Sequence, residues 1–241
     1  MRWSLALVMI VVVQSIVTAQ RFIVKGGVNF SSVNEQFQTR KIKFGTTVGV
    51  GFEYPIAKQF FIQPEFNFTQ KGYKYEHEYF NELAYGFMRR KVETNYLEVP
   101  ILLKYRFNAG VVKYSFLIGP TVGGVFGGKV NVYSVNSYRL PPDLNVSNRT
   151  RKIKFDDWPY PGDGSGNGFE VIEHWLELGL QAGAQIEFRN WAMLDIRYGH
   201  GLTWFYSLRF EERVPDGRLS NTKNRGIQVT LGIPLKKRKS S

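Results

Sequence analysis

Residues 173–189, EHWLELGLQAGAQIEFR, separate into two chemically opposite faces when every second residue is taken. One face is almost entirely apolar: His174, Leu176, Leu178, Leu180, Ala182, Ala184, Ile186 and Phe188. A period of two is the pattern of a β-strand, whose successive side chains point to opposite sides of the pleat. The apolar face continues without a charge for about the 10 residues that a tilted strand needs to cross a bilayer. The stretch therefore predicts a transmembrane β-strand, with a strand of a soluble antiparallel sandwich as the alternative.

Seven further segments show the same alternation, which brings the predicted number of strands to eight. They lie at 22–30, 44–54, 60–69, 96–107, 112–122, 194–206 and 227–233. In each segment the apolar residues are assigned to the lipid and the polar residues to the interior.

Short and long connections between these segments alternate along the whole chain. Predicted hairpin turns lie at 57–58, 108–110 and 189–190, and the long connections span 31–43, 76–87, 127–171 and 211–223. Bacterial outer-membrane barrels have short periplasmic turns and longer outer loops, and a soluble sandwich has no reason to sort its loops in this way. The sequence therefore predicts an all-β fold, an eight-stranded antiparallel transmembrane up-and-down β-barrel with long outer loops.

The two ends of the chain add a predicted organisation around the barrel. The chain starts with a basic residue, an apolar run and small residues before Gln20, which is the pattern of a secretory signal peptide. We predict a signal peptide at 1–19, an outer-membrane β-barrel at 20–235 and a basic periplasmic tail at 236–241. The predicted location is the outer membrane of a Gram-negative cell, with both termini in the periplasm. The sequence has no cysteine, which excludes disulfides and thiol chemistry.

Aromatic residues cluster near the predicted strand ends, where membrane barrels carry girdles at the depth of the lipid headgroups. The predicted girdle near the short turns contains Tyr54, Phe60, Phe107 and Phe188, and that near the long loops contains Tyr73, Tyr75, Tyr96 and Trp204.

Residues 96–105, YLEVPILLKY, resemble a strand of the PorT-type outer-membrane β-barrel family of the Bacteroidetes. The segments GGVN at 26–29 and NRGI at 224–227 add to the resemblance. It implies an eight-stranded outer-membrane barrel, in a family where most members have no assigned activity and the founding type is tied to type IX protein secretion. The chain departs from the usual pattern at its end, because outer-membrane barrels commonly finish on an aromatic residue, whereas this one finishes Leu235 followed by KKRKSS.

Charged residues occupy many of the inward positions of the predicted strands. They are Lys25, Glu53, Glu65, Glu98, Lys104, Arg106, Lys113, Glu177, Glu187, Asp195 and Arg197. Eight strands enclose a lumen only wide enough for side chains to fill, and charges removed from water must be paired or hydrogen-bonded. The sequence therefore predicts a charge network that plugs the lumen. The alternative is a narrow porin-like channel for ions or small solutes.

Catalytic and metal-binding patterns are weak in this sequence. The three histidines, His77, His174 and His200, accompany no recognisable nucleophile motif, and the Gly-rich run at 161–168 lacks the spacing of a nucleophile elbow. Asp156 and Asp157 lie close to this run, but together they do not have the carboxylate spacing of a calcium-binding loop. We predict no catalytic residue, cofactor or metal, and a barrel enzyme acting on lipid or peptide is the less favoured alternative.

Basic residues concentrate in the long loops: Arg40, Lys41, Arg89, Arg90, Lys91, Arg149, Arg151, Lys152 and Lys154. Because arginine pairs favourably with phosphate, they predict contact with outer-membrane lipid and lipopolysaccharide phosphates, with a merely solvated surface as the alternative. Nucleic acid is not an expected partner of an exported protein.

Alternation continues beyond the predicted membrane edge at 129–135, and a second β-rich piece lies at 151–155. These pieces predict a two-stranded β-ribbon above the bilayer, whose edge could recruit a strand of a protein partner or of a secretion machinery. Tyr133, Trp158 and Tyr160 are the candidate partner-binding residues, and a loop that only shields the barrel mouth is the alternative. The predicted function is a non-catalytic structural, binding or secretion-associated barrel.

Overall fold

The computed structural model describes residues 21–34, 40–80, 84–139, 142–152, 154–155, 171–172, 176–189, 191–203 and 223–236. Within these ranges, no helix is long and apolar enough to cross a membrane.

Eight long strands pair antiparallel with their neighbours. They are β1 (Arg21–Asn34), β3 (Lys43–Pro55), β4 (Phe60–Phe80), β5 (Ala84–Ala109), β6 (Val112–Arg139), β10 (Leu176–Phe188), β11 (Ala192–Gly201) and β12 (Lys223–Lys236). Four further strands lie outside the ring: β2 (Arg40–Lys41), β7 (Pro142–Lys152), β8 (Lys154–Phe155) and β9 (Val171–Ile172). The long strands pair in chain order, and β1 closes the ring by pairing with β12. The predicted eight-stranded antiparallel barrel is therefore confirmed.

The predicted inward and outward faces of the wall are also confirmed. On β10, Leu180 is 48% exposed and the neighbouring Gln181 only 4%. Phe52 follows the outward parity of β3 but is buried, because its ring packs 5.4 Å from that of Phe22 and 6.5 Å from that of Phe66. The wall therefore alternates between an apolar outer surface and a polar lumen, as a membrane barrel requires.

Three barrel strands continue far beyond the length predicted for them. Pairing of β4 with β5 runs on to Phe80 opposite Tyr85, so the described residues of the region predicted as a long loop at 76–87 belong to two paired strands. β6 pairs with this extension of β5 and also with β7. The predicted two-stranded ribbon is thus wrong in extent, since β4, β5, β6 and β7 form a four-stranded sheet, which we call the outer sheet.

The predicted aromatic girdle near the long loops is wrong for its three described members. Tyr73, Tyr75 and Tyr96 are 1%, 8% and 0% exposed, because odd positions of β4 and even positions of β5 point inward. Trp204 lies outside the described residues. The tyrosines join a buried cluster that we call the tyrosine cap: Val33, Tyr73, Tyr75, Val92, Tyr96, Val125 and Val130. On the side of the short turns, Phe60 and Phe188 are exposed, as girdle residues should be.

A β-bulge on β6 completes the tyrosine cap. Asn95 lies opposite Gly127 and Tyr96 opposite Val125, so Phe126 is the extra residue. One extra residue exchanges the inward and outward positions of a strand, and both Val125 and Val130 are therefore buried.

Candidate functional site

Inward-facing charged residues fill the lumen in three layers, named here from the short-turn end outward. The turn-side layer contains Arg21, Glu53, Lys104, Arg106, Lys113 and Glu187; the central layer contains Lys25, Glu65, Asp195 and Arg197; the outer layer contains Lys71, Glu98 and Glu177. All are buried except Arg106, Lys113 and Lys71, which are half-buried. The structure thus brings every charged lumen residue singled out in the sequence into one of these layers.

Two members of the layers were missed in the sequence. Arg21 precedes the first predicted strand by one residue, and Lys71 follows the third by two. Both keep the inward parity of their strands, so extending the alternation by one or two residues would have identified them.

Two carboxylates organise the turn-side layer. Lys104 Nζ lies 3.0 Å from Glu53 Oε2 and donates a hydrogen bond to the Gln185 side chain, while Arg106 forms an ion pair with Glu53. Arg21 donates to both oxygens of Glu187, at 2.9 and 2.7 Å. Such bidentate pairing fixes the orientation of the guanidinium as well as adding energy.

Arg197 ties the central layer together. Its Nη1 and Nη2 donate to the two oxygens of Glu65 at 2.7 and 2.8 Å, and its Nε donates to Asp195 Oδ1 at 2.7 Å. Lys25 Nζ contacts Glu65 Oε2 at 2.5 Å. Two cations face two carboxylates, so the layer is electrically balanced, which is the condition for tolerating buried charge.

Lys71 lies between the two carboxylates of the outer layer. Its Nζ is 2.7 Å from Glu98 Oε1 and 2.7 Å from Glu177 Oε1, and it lies 4.5 Å from the centre of the Tyr96 ring. Asn224 Nδ2 donates to Tyr96 Oη at 3.0 Å and to Glu177 Oε2 at 2.5 Å. Tyr96 therefore joins the outer layer to the tyrosine cap.

The outer sheet carries two different surfaces on the side that continues the lipid-facing wall. Nearer the bilayer is a set of charged residues that we call the basic belt. It contains Lys74, Arg89, Lys91, Lys129 and Lys152 of the outer sheet and Lys41 of β2, which pairs with β4, with Glu76 and Glu93 among them. Six cations against two carboxylates leave the belt an excess of four positive charges. Arg89 Nε donates to Glu76 Oε1 at 2.8 Å, and Lys41 also bonds Glu76. Hydrogen bonds from Lys41 and Arg89 lower the pKa of the Glu76 carboxyl.

The other predicted basic residues lie apart from the belt or cannot be placed. Arg90 has the inward parity of β5 and lies between Tyr75 and Val132, and Arg149 is exposed on β7. The side chains of Arg40, Arg151 and Lys154 lie outside those that the structure describes.

Farther from the bilayer, the same side of the outer sheet becomes apolar. Residues opposite one another in antiparallel strands share a face, and the register places two rows there: Phe80, Tyr85, Ser137 and Leu144, then Glu78, Phe87, Val135 and Val146. We call the apolar members the distal patch: Phe80, Tyr85, Phe87, Val135, Leu144 and Val146.

The predicted binding residue Tyr133 lies one row below the distal patch. Its ring contacts that of Phe87 edge-on, with the centroids 6.2 Å apart. Trp158 and Tyr160 lie outside the described residues, so Tyr133 alone of the three can be placed.

Among the histidines, the side chain of His200 alone is described. Its ring stacks on that of Tyr198, on the outer surface of the wall, with centroids 6.4 Å apart. In the part of the chain that the structure describes, no three His, Cys, Asp or Glu side chains are grouped to hold a metal ion.

The closed ring, polar lumen and apolar outer wall define a transmembrane β-barrel of the outer-membrane class. A family model described as the outer membrane protein beta-barrel domain matches residues 19–207. The chain belongs to this family, and its location is the Gram-negative outer membrane.

Three solved structures similar to the chain are distant from it in sequence. The attachment invasion locus protein Ail of Yersinia pestis is 14% identical, with 90% of this chain and 99% of that one covered and a TM-score of 0.39. The outer membrane enzyme PagL is 12% identical, with coverage of 88% and 99% and a TM-score of 0.42. OprG of Pseudomonas aeruginosa is 11% identical, with coverage of 91% and 98% and a TM-score of 0.42. No curated protein matches the chain.

Proposed function

We propose that this barrel is a non-catalytic binding protein that holds a protein partner on its outer sheet, above the bilayer. The distal patch carries the proposal. Phe80, Leu144 and Val146 are 82%, 65% and 55% exposed, although they stand well beyond the membrane. Phe80 follows the lipid-facing Phe68 by twelve residues, which is about 40 Å of strand at 3.3 Å per residue. Exposed apolar residues grouped in this way mark interaction sites.

The edge of the outer sheet adds main-chain hydrogen-bonding capacity to the patch. Among the described residues, β7 pairs only with β6, so its other edge can accept a strand of the partner. A strand added there would extend the rows that end at Leu144 and Val146. The resemblance of residues 96–105 to the PorT-type family supports an exported protein or a secretion component as this partner.

The arrangement of the lumen favours a binding protein over a channel, and the position of His200 favours it over an enzyme. Paired and buried side chains such as Arg197, Glu65 and Lys104 occupy the middle of the barrel, where a channel would need water. His200 lies on the outer wall against Tyr198 rather than in the lumen.

Replacing Phe80, Leu144 and Val146 together by serine is expected to abolish partner binding and leave the barrel folded, because all three side chains are exposed. The measurement is a crosslinked pull-down from intact outer membranes, followed by titration of the purified partner. We expect recovery to fall about tenfold or more, the equivalent of 1.4 kcal/mol. The matched control replaces Asn145, Asn148 and Thr150 by serine, all three exposed on β7 beside Leu144 and Val146. Equal recovery with both variants would refute a binding role for the patch.

The basic belt supports a second contact, with phosphate groups of the outer leaflet. Lys129 follows the lipid-facing Phe126 by three residues, so the belt begins at about headgroup height. Surplus lysine and arginine at this depth can bind lipopolysaccharide phosphates through charge-assisted hydrogen bonds. The contact would hold the outer sheet at a fixed height for its partner.

Replacing Lys91, Lys129 and Lys152 by glutamine should weaken binding of the purified barrel to lipopolysaccharide, more at low salt than at high salt. Dephosphorylated lipopolysaccharide should bind the unmodified protein and the variant equally weakly. The control variant replaces Lys58 and Arg189, which are exposed at the short turns. Unchanged affinity after the triple replacement would show that the belt is only a solvated surface.

A further inference from the structure

The short-turn end of the barrel carries more cations than carboxylates. In the turn-side layer, four cations share two carboxylates: Arg21, Lys104, Arg106 and Lys113 against Glu53 and Glu187. The described turns beyond this layer add cations only, namely Lys58 and Arg189. Because the short turns of outer-membrane barrels lie on the periplasmic side, this end presents a positively charged mouth to the periplasm.

Two N–H groups within this mouth are buried without an acceptor in the described part of the chain. They are Arg21 Nε and Arg106 Nε. Arg21 is 7% exposed, and its terminal nitrogens donate to Glu187. The two guanidiniums belong to one cluster, because Arg106 pairs with Glu53 and Arg21 Nη1 lies 3.6 Å from Glu53 Oε1. Buried donors without an acceptor are costly, so the cluster favours an oxyanion as a ligand.

The mouth is open to a ligand from the periplasm but not to the lipid. The Lys113 side chain is 28% exposed, with its Nζ 3.4 Å from Glu187 Oε1, and the Arg106 guanidinium lies over the Phe61 ring at 4.3 Å. Lys113 and Arg106 have the inward parity of their strands, so the headgroups that surround the wall do not meet them. A ligand therefore approaches along the barrel axis.

Exposed apolar side chains lie in the turns next to the mouth. Val111 and Trp191 are 64% and 66% exposed, and both lie beyond the strand ends, past the girdle residue Phe188. Their turns are adjacent, because the Arg189 backbone N–H donates to the Val111 carbonyl at 3.2 Å. Val111 precedes Lys113 by two residues. Exposed apolar side chains beside paired charges are typical of a protein-binding surface.

We propose that the short-turn end of the barrel binds an acidic segment of a periplasmic protein. A carboxylate of this segment enters the mouth and accepts hydrogen bonds from Arg106, Lys113 and Arg21 Nε, as guanidinium groups favour. An apolar side chain next to the carboxylate packs on Trp191 and Val111. This surface is at the opposite end of the barrel from the outer sheet, and it is independent of the function proposed above. The barrel then has a separate binding surface on each side of the outer membrane.

A labelled hexapeptide of alternating glutamate and leucine, titrated into the full mature barrel in zwitterionic detergent, tests the proposal by fluorescence anisotropy. The same peptide with glutamine in place of glutamate should bind about tenfold more weakly or less. In NMR spectra, the Nε resonances of Arg21 and Arg106 should shift with the glutamate peptide only. Equal binding of the two peptides without these shifts would refute the site. Binding of peptidoglycan fragments but of neither peptide would overturn the proposal in favour of a contact with the cell wall.

Replacing Arg106 and Lys113 together by glutamine should weaken binding of the glutamate peptide about tenfold or more. The matched control replaces Lys58 and Arg189 by glutamine, which removes the same charge from the same end of the barrel, but from exposed side chains in the turns. We expect this control to change the affinity about twofold at most, because exposed charges contribute little. An equal loss in both variants would reduce the site to general attraction by a basic rim and would overturn it.

Two single variants keep the test decisive if the double variant does not refold. Lys113→Gln leaves Glu187 with both hydrogen bonds from Arg21 and should still weaken binding of the glutamate–leucine peptide severalfold. Trp191→Ser should lower the affinity for that peptide and leave the affinity for a glutamate–serine peptide unchanged. Unchanged affinities in both single variants would contradict the proposed contacts.

Discussion

Replacing Arg197 by methionine should lower the free energy of unfolding of the barrel by about 3–5 kcal/mol, the cost of removing one partner from a buried ion pair. Arg197 holds Glu65 with two hydrogen bonds and Asp195 with others. Without the guanidinium, the central layer would contain two carboxylates and only one cation, Lys25. The measurement is urea unfolding of the refolded protein in detergent micelles.

Ile196→Met on the same strand provides the control, because Ile196 is 47% exposed on the outer wall and a volume-conserving apolar exchange usually costs less than about 1.5 kcal/mol. Adding Asp195→Asn to Arg197→Met should recover part of the loss, since it removes one unpaired carboxylate. A loss no larger than that of the control would mean that the central layer contributes little to stability.

Replacing Ala182 by lysine should prevent stable insertion, whereas replacing the adjacent Gln181 should be tolerated. Ala182 is the middle one of seven outward positions of β10 and has Ile118 and Tyr198 as cross-strand neighbours. A lysine near the centre of the lipid face costs about 2–4 kcal/mol. Gln181 instead points into the polar lumen near Glu98 and Glu177, where a lysine can pair with a carboxylate.

The fraction of protein that inserts into lipid vesicles, read from heat-modifiable migration in a gel, compares these two lysine variants directly. We expect a large loss for Ala182→Lys and near-normal insertion for Gln181→Lys. Equal insertion of both variants would contradict the assignment of the two faces of β10.

The alternation of apolar and polar residues was sufficient to predict the barrel, its strand order and the facing of its wall. It succeeded because the membrane imposes one rule on every spanning residue: apolar on the outside, polar on the inside. Lys25, Glu65, Arg197 and the other charged lumen residues could be found in this way. The ion-pair partners of these residues could not be found in this way, because contacts across the lumen depend on the stagger of all eight strands.

Above the membrane the same rule no longer applies, and the sequence was a poorer guide there. The extension of β4 alternates lysine, glutamate and tyrosine, and that of β5 places arginine and lysine between scattered apolar residues. Neither shows a continuous apolar face, so both resembled loops. Tyr73 and Tyr75 resembled girdle residues because aromatic side chains are common at membrane surfaces. The bulge at Phe126 could not be recognised from the alternation alone, since it becomes visible only in the pairing of β6 with β5.

The layered lumen also constrains the order in which this barrel can fold. The Arg21–Glu187 and Arg197–Glu65 contacts join residues 166 and 132 positions apart in the chain, and contacts of such long range form late and slowly. Until β1 pairs with β12 and closes the barrel, the carboxylates of the central layer cannot form all of their ion pairs. A slip of one strand by two residues would keep every apolar side chain on the lipid side yet move its charges into the wrong layer. Charge pairing thus distinguishes the correct stagger from slipped alternatives that the hydrophobic pattern accepts equally well.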